Sequence, residues 1–266
     1  MIQKTKNIIK KTFIFDIYKH IVFWYRHLQM FIGNKGIILL YHRINDAIDD
    51  PLLLSVSKEN FYRQMVFLKK NYNIINLETL VYKIKDGENI RKNVVITFDD
   101  GYVDNLYNAL PILKELNIPA TIFITAGKID DTEAFVWDKP DKKNDLNRAV
   151  TSDELKELSL NHLIEIGAHT ISHPHLHLLN KETQKNEIYG SKDIIEKIIN
   201  KKIKSFSYPF GTDKECNPET IDIVKGVGFQ YACSNIKELV NKKSNIYSLP
   251  RYLVRNWNIK DFKINI

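Results

Sequence analysis

The segment Gly36-Ile37-Ile38-Leu39-Leu40-Tyr41-His42 is a short, unbroken apolar run behind a glycine, the pattern of a strand buried on both faces. The pattern returns at 94–98, 120–125, 163–168, 204–208, 229–234 and 247–254, with a shorter strand or connector at 74–77. Between these runs the apolar period changes from continuous to helical. Phe61, Met65, Leu68 and Tyr72 follow a Ser57 cap, and a second helix over 77–85 ends at Asp86-Gly87. Leu106, Ala109, Leu110, Leu113 and Leu116 share one side of a helix that Asn117-Ile118-Pro119 stops. Thr151-Ser152-Asp153-Glu154 has the form of a capping box, Asn180 caps a helix carrying Ile188, Ile195 and Ile199, and 220–227 is helical. Residues 128–150 are polar and aperiodic, an insertion loop with Phe135 and Trp137 as isolated aromatics.

Strands alternating with amphipathic helices predict an α/β fold of parallel strands joined by right-handed crossovers. Six or seven such units favour a closed barrel over an open sheet, and a chain of 266 residues is long enough to form one. Polar groups recur where the strands end: Tyr41-His42, Asp99-Asp100, His169, Tyr208-Pro209-Phe210 and Arg251. Barrels of this kind carry their chemistry at that end. The chain shows no internal repeat, linker or low-complexity tract.

Charge divides the chain unevenly. The net charge is +7, yet residues 1–35 hold Lys4, Lys6, Lys10, Lys11, Lys19, Arg26 and Lys35 against Asp16 alone, so the remainder is nearly neutral. The basic character therefore belongs to an N-terminal arm, 1–35, and the body is a single domain, 36–266. Phe13, Ile17, Ile21, Trp24 and Leu28 recur in the arm at helical spacing. Such a helix suits an anionic membrane surface, and it equally suits packing on the domain or a second subunit. Asp16, Lys19, His20, Arg26 and His27 interrupt its apolar stretch, which argues against a signal peptide and against a spanning helix. The expected location is cytoplasmic, peripheral at the inner face of the membrane. Nothing in the nearly neutral body points to nucleic acid. Cys216 and Cys233 make no disulfide framework and read as packing residues.

The chemistry concentrates in two segments. Thr97-Phe98-Asp99-Asp100-Gly101 closes a strand with adjacent carboxylates, and Gly101 permits the bend that two side chains of opposite face need to share a pocket. His169-Thr170-Ile171-Ser172-His173 places two imidazoles four residues apart, which a helical turn would turn to one side. Taken singly, the first is also an ordinary strand-to-loop turn and the second an ordinary polar loop. Together they supply a carboxylate and two imidazoles for a metal, with one carboxylate left over as a base: the inventory of a metal-assisted hydrolase with an open coordination position. His175 and His177 read as loop residues.

These two segments resemble the first two motifs of the polysaccharide deacetylase family, the NodB-homology carbohydrate esterases. Leu40-Tyr41-His42-Arg43, Phe206-Ser207-Tyr208-Pro209-Phe210-Gly211 and Leu249-Pro250-Arg251 follow in family order, so the resemblance spans roughly 36–255. It implies a distorted (β/α)7 barrel and a divalent metal, usually zinc, held by Asp100, His169 and His173. It further implies Asp99 as general base and the backbone N–H of Phe210 as oxyanion donor. Trp137, Phe135 and Tyr208 are candidates to line a sugar groove. The implied reaction is removal of an N-acetyl group from an amino sugar of a cell-surface polysaccharide or a lipid-linked precursor. An O-acetyl esterase, a deformylase and a silent glycan-binding barrel are the rivals. The chain departs from the family pattern twice. The third-motif arginine would fall at Ser207, a position expected to be unable to orient Asp99, and no histidine follows His177 to serve as the late acid. His42 is the available substitute for the acid, with Asp99 returning its own proton as the alternative, and Arg251 is the substitute for the arginine.

Overall fold

The computed structural model describes residues 28, 33–46, 50–138 and 146–266. The arm expected over 1–35 therefore falls almost wholly outside the described residues, as does 139–145 of the insertion loop. Among the described residues no helix is long and apolar enough to cross a membrane.

Among the described residues ten strands form: β1 Ile37–Tyr41, β2 Arg43–Ile44, β3 Ser55–Val56, β4 Asn73–Ile74, β5 Asn93–Phe98, β6 Ala120–Ile124, β7 Ile164–Ala168, β8 Ser205–Ser207, β9 Tyr231–Cys233 and β10 Tyr252–Leu253. Seven of them run side by side in the order β10-β1-β5-β6-β7-β8-β9, with β4 added beside β5 and β2-β3 forming a separate pair. All neighbours in the seven are parallel, with Tyr41 opposite Phe98, Ile124 opposite Ala168 and Ala168 opposite Phe206. Every residue of β1, β5 and β6 is buried, because helices cover one face and the barrel interior fills the other. The expected (β/α)7 barrel is thus present in distorted form. Where β9 should pair with β10, a single parallel bridge between Cys233 and Leu249 spans the gap.

The last strand is shorter than its apolar run predicts. Pro250 has no N–H to donate, and the N–H of Arg251 turns aside to Ile236 O at 2.9 Å, so only Tyr252–Leu253 joins the sheet. The predicted caps hold: Ser57 and Asn180 each accept a backbone N–H, and Thr151 with Glu154 closes a reciprocal capping box; Asn76 and Asn217 cap two further helices for which no cap was predicted. The helix after β5 begins as a π-turn over Asn105–Ala109 and becomes α-helical only over Leu110–Leu116. Pro111 lacks the N–H an α-turn requires there, and the N–H of Leu110 reaches five residues back to Asn105 O. Cys216 and Cys233 are both free and buried, as packing residues should be.

Candidate active site

Asp99 and Asp100 stand where β5 ends. The N–H of Asp99 still donates to Tyr41 O at 3.0 Å, in continuation of the β1–β5 pairing. The chain then leaves the extended conformation at Asp100 itself (φ 73) and again at Gly101 (φ 77). An aspartate tolerates the left-handed region better than most residues, and Gly101 meets Ile124 closely enough that a Cβ would collide. Two consecutive left-handed residues are what let adjacent carboxylates reach one buried pocket.

Asp99 is gripped by Arg251, which is wholly buried. Nη1 donates to Asp99 Oδ1 at 2.8 Å and Nη2 to Oδ2 at 2.7 Å. The remaining guanidinium donors go to Thr97 Oγ1 (3.2 Å), Ser207 Oγ (2.8 Å) and Ser234 O (2.8 Å), so all five N–H groups are used. Arg251 therefore occupies the orienting position that the sequence left vacant. Ser207 corrects the expectation that it cannot orient Asp99, since its hydroxyl donates to Asp99 Oδ2 at 3.2 Å while accepting from Arg251. Burial alone would raise the Asp99 pKa. The Arg251 guanidinium, with help from His169 and His42, overrides it and holds the carboxyl well below the usual range.

Asp100 has the opposite environment. Burial first, then the neighbouring Asp99 charge, pushes its pKa well up, and its Oδ1 is buried with no hydrogen-bond partner. That oxygen faces Nε2 of His169 and Nε2 of His173, each at 3.6 Å. His169 donates Nδ1–H to Ser207 O at 2.7 Å, which leaves its Nε2 as a bare lone pair. Burial lowers the pKa of both imidazoles, His173 to about 3, so both are neutral. The three ligand-type atoms lie within 4.8 Å of one another. A buried orphan carboxylate oxygen facing two neutral imidazole nitrogens is a donor set suited to a divalent cation.

The second motif reaches this geometry without a helix. Residues 169–173 form an irregular turn, with Thr170 (φ 66) and His173 (φ 57) in the left-handed region, so the helical spacing inferred from sequence does not apply. Thr170 Oγ1 accepts the N–H of His173, and Glu187 accepts the N–H groups of Ile171 and Ser172 at 2.9 Å each. Glu187 belongs to the helix Lys181–Ile199, an anchor that carries no local sequence signal.

The other candidates separate into those beside the site and those away from it. Trp137 lies beside it: its ring is 4.7 Å from that of His173, its Nε1 donates to Tyr102 Oη at 3.0 Å, and Phe135 stacks behind it. Phe135 itself is buried under Trp137 and lines no groove. Tyr208 is likewise excluded from a groove, being buried against Phe206 with its hydroxyl spent on Tyr247 O at 2.9 Å. Phe210 is exposed at the rim and has φ 59, in a tight turn closed by the Gly211 N–H on Pro209 O at 2.6 Å. Its own N–H meets no acceptor among the described residues. Only glycine fits at 211, where a Cβ would strike the Asn235 backbone. His42 stands at the end of β1 with Nδ1 buried and unpartnered, and burial brings its pKa down to about 4.

His175 and His177, read from sequence as loop residues, both point Nδ1 at Glu215 Oε1, at 2.7 and 2.8 Å. The crowding of histidines was visible in the sequence. Glu215 lies 38 residues beyond His177 and carried no signal.

Residues 86–232 match the family model for polysaccharide deacetylase. The poly-β-1,6-N-acetyl-D-glucosamine N-deacetylase of Staphylococcus aureus is 29% identical, over 83% of this chain and 79% of that one. The Streptococcus pyogenes deacetylase PplD, solved with acetate, shares the fold with a TM-score of 0.70 at 24% identity, over 84% of this chain and 93% of that one. IcaB from Ammonifex degensii shares it with a TM-score of 0.70 at 20% identity, over 86% and 94% respectively. With the matched segment carrying more than half the chain, including both motifs and β5 to β9, this protein belongs to the polysaccharide deacetylase family.

Proposed function

We propose that this protein removes N-acetyl groups from an amino sugar of a cell-surface polysaccharide or its precursor, with Asp99 as base and a divalent metal, zinc by preference, held by Asp100, His169 and His173. One observation carries the reading: Asp100 Oδ1 is buried, unpartnered and aimed at two neutral imidazole nitrogens, while the adjacent Asp99 is held ionised by Arg251. The named Staphylococcus aureus relative supplies the substrate class. A cation at that position supplies Lewis acidity toward the acyl oxygen of an amide, a poor electrophile.

The chain's own residues do the rest. Asp99, fixed by a two-pronged arginine, accepts the proton of the attacking water in one orientation only. The same proton must end on the leaving amine. We assign its delivery to His42, at the end of β1 with a buried and unpartnered Nδ1, or to Asp99 returning the proton itself. The free N–H of Phe210 is the donor we assign to the developing oxyanion. Trp137 offers its ring to the sugar beside His173. The catalytic unit on this reading is 36–266. Residues 1–35, with their excess of positive charge, are the part we assign to contact with an anionic membrane surface.

Acetate release from β-1,6-linked N-acetylglucosamine oligomers tests the reading. Protein stripped by a chelator should be inactive, and zinc should restore release by at least about 100-fold. Preferential release from O-acetyl or N-formyl sugars, or release indifferent to the chelator, would contradict it.

A further inference from the structure

A second cluster of ligand-type side chains lies outside the site assigned above. Glu215, on the turn after Gly211, is 1% exposed, and among the described residues no lysine or arginine pairs with it. Its whole compensation is imidazole and amide. Nδ1 of His175 and Nδ1 of His177 converge on Oε1, and the His177 N–H reaches Oε2 at 3.2 Å. A carboxylate buried without a cation is costly. Two imidazoles on one carboxylate oxygen form a nitrogen-nitrogen-oxygen set of the kind that borderline divalent ions take. The three ligand atoms lie within 4.8 Å of one another, and a slight parting of these contacts admits an ion bonded at about 2.0–2.2 Å.

The position of the cluster gives it a purpose. The His175 ring stacks on Phe210 with centroids 3.7 Å apart and planes 10° apart, and the same Phe210 ring meets His173 at 63° with centroids 4.9 Å apart. An ion on Glu215 would tie the loop 173–179 to the turn 212–216 and clamp Phe210 between the two clusters. We propose that His175, His177 and Glu215 form a second divalent-metal site, of zinc type, that holds His175 against the Phe210 ring and so fixes the Phe210 turn. The proposal does not depend on the ligand assignment for the first site, because the two clusters share no residue.

Zinc titration of the metal-stripped full chain against a chromogenic indicator tests it, with the visible spectrum of a cobalt-loaded sample as a second readout. The wild-type chain should take up about two ions, and Asp100→Asn and Glu215→Gln about one each. The double variant should take up none. His175→Ala removes a half-exposed ring and leaves the buried carboxylate in place, so it should fold and should weaken the second ion at least about 10-fold. Uptake of about one ion by wild type, abolished by Asp100→Asn and unchanged in Glu215→Gln and His175→Ala, would overturn the second site and leave the first intact. Retention of both ions in Asp100→Asn, with loss of one in Glu215→Gln, would keep the second site and refute the first. If Glu215→Gln does not fold, the His175→Ala titration decides the matter by itself.

Discussion

Asp99→Asn is expected to lower kcat/KM for acetate release by about 1,000-fold or more while the protein still binds metal. The reason is local. Asparagine keeps the size of the side chain and one acceptor for Arg251, but it cannot take a proton from water. The donor set of Asp100, His169 and His173 does not include residue 99, so metal content should be unchanged. Kinetics on folded, zinc-loaded variant would check this, with zinc content measured on the same sample. Activity within about 10-fold of wild type would remove Asp99 from the role of base.

Arg251→Met should be the most destabilising single change in the barrel, by about 3–5 kcal/mol. It deletes five satisfied donors and leaves Asp99 buried without its cation, while the Thr97 and Ser207 hydroxyls each lose a donor and keep only their own bonds to Leu39 O and Asp99 Oδ2. The sign of the pH dependence follows from Asp99. Its folded-state pKa is depressed, so the pair adds stability above the unfolded aspartate value of about 3.9 and loses it as pH falls below that. The gap between variant and wild type should therefore be full at neutral pH and narrow in acid. Denaturant unfolding at pH 7 and pH 3 measures it. Combining Arg251→Met with Asp99→Asn should recover part of the loss, because the orphaned charge goes with the arginine. A loss below about 1 kcal/mol, or one that grows in acid, would contradict the clamp.

The barrel was legible from sequence because its period is physical. Continuous apolar runs such as Ile37–Tyr41 and Asn93–Phe98 must be covered on both faces, and caps such as Asn180 and Thr151 mark where helices begin. The elements that differ are those where a long-range partner overrides the local pattern. The run through Leu249 reads as strand, yet Pro250 and the bond from Arg251 to Ile236 release it from the sheet. His169 and His173 have helical spacing, yet Thr170 and Glu187 fold that stretch into an irregular turn. The ligand candidates were readable because they sit inside compact motifs. Ser207 was misjudged because its bond to Asp99 joins residues 108 apart in the chain and is visible only once the barrel brings the ends of β5 and β8 together. Tyr208 was a groove candidate because sugars pack their C–H faces on aromatic rings, but it is buried against Phe206 with its hydroxyl on Tyr247 O.

The most direct test of the site is anomalous scattering at the zinc edge from crystals grown with zinc. The account predicts a peak bonded at about 2.0–2.2 Å to Asp100 Oδ1, His169 Nε2 and His173 Nε2, with the Asp99 carboxylate beside it but outside bonding distance. No peak among these three side chains in protein that takes up zinc, or a peak ligated by Asp99 in place of Asp100, would contradict it.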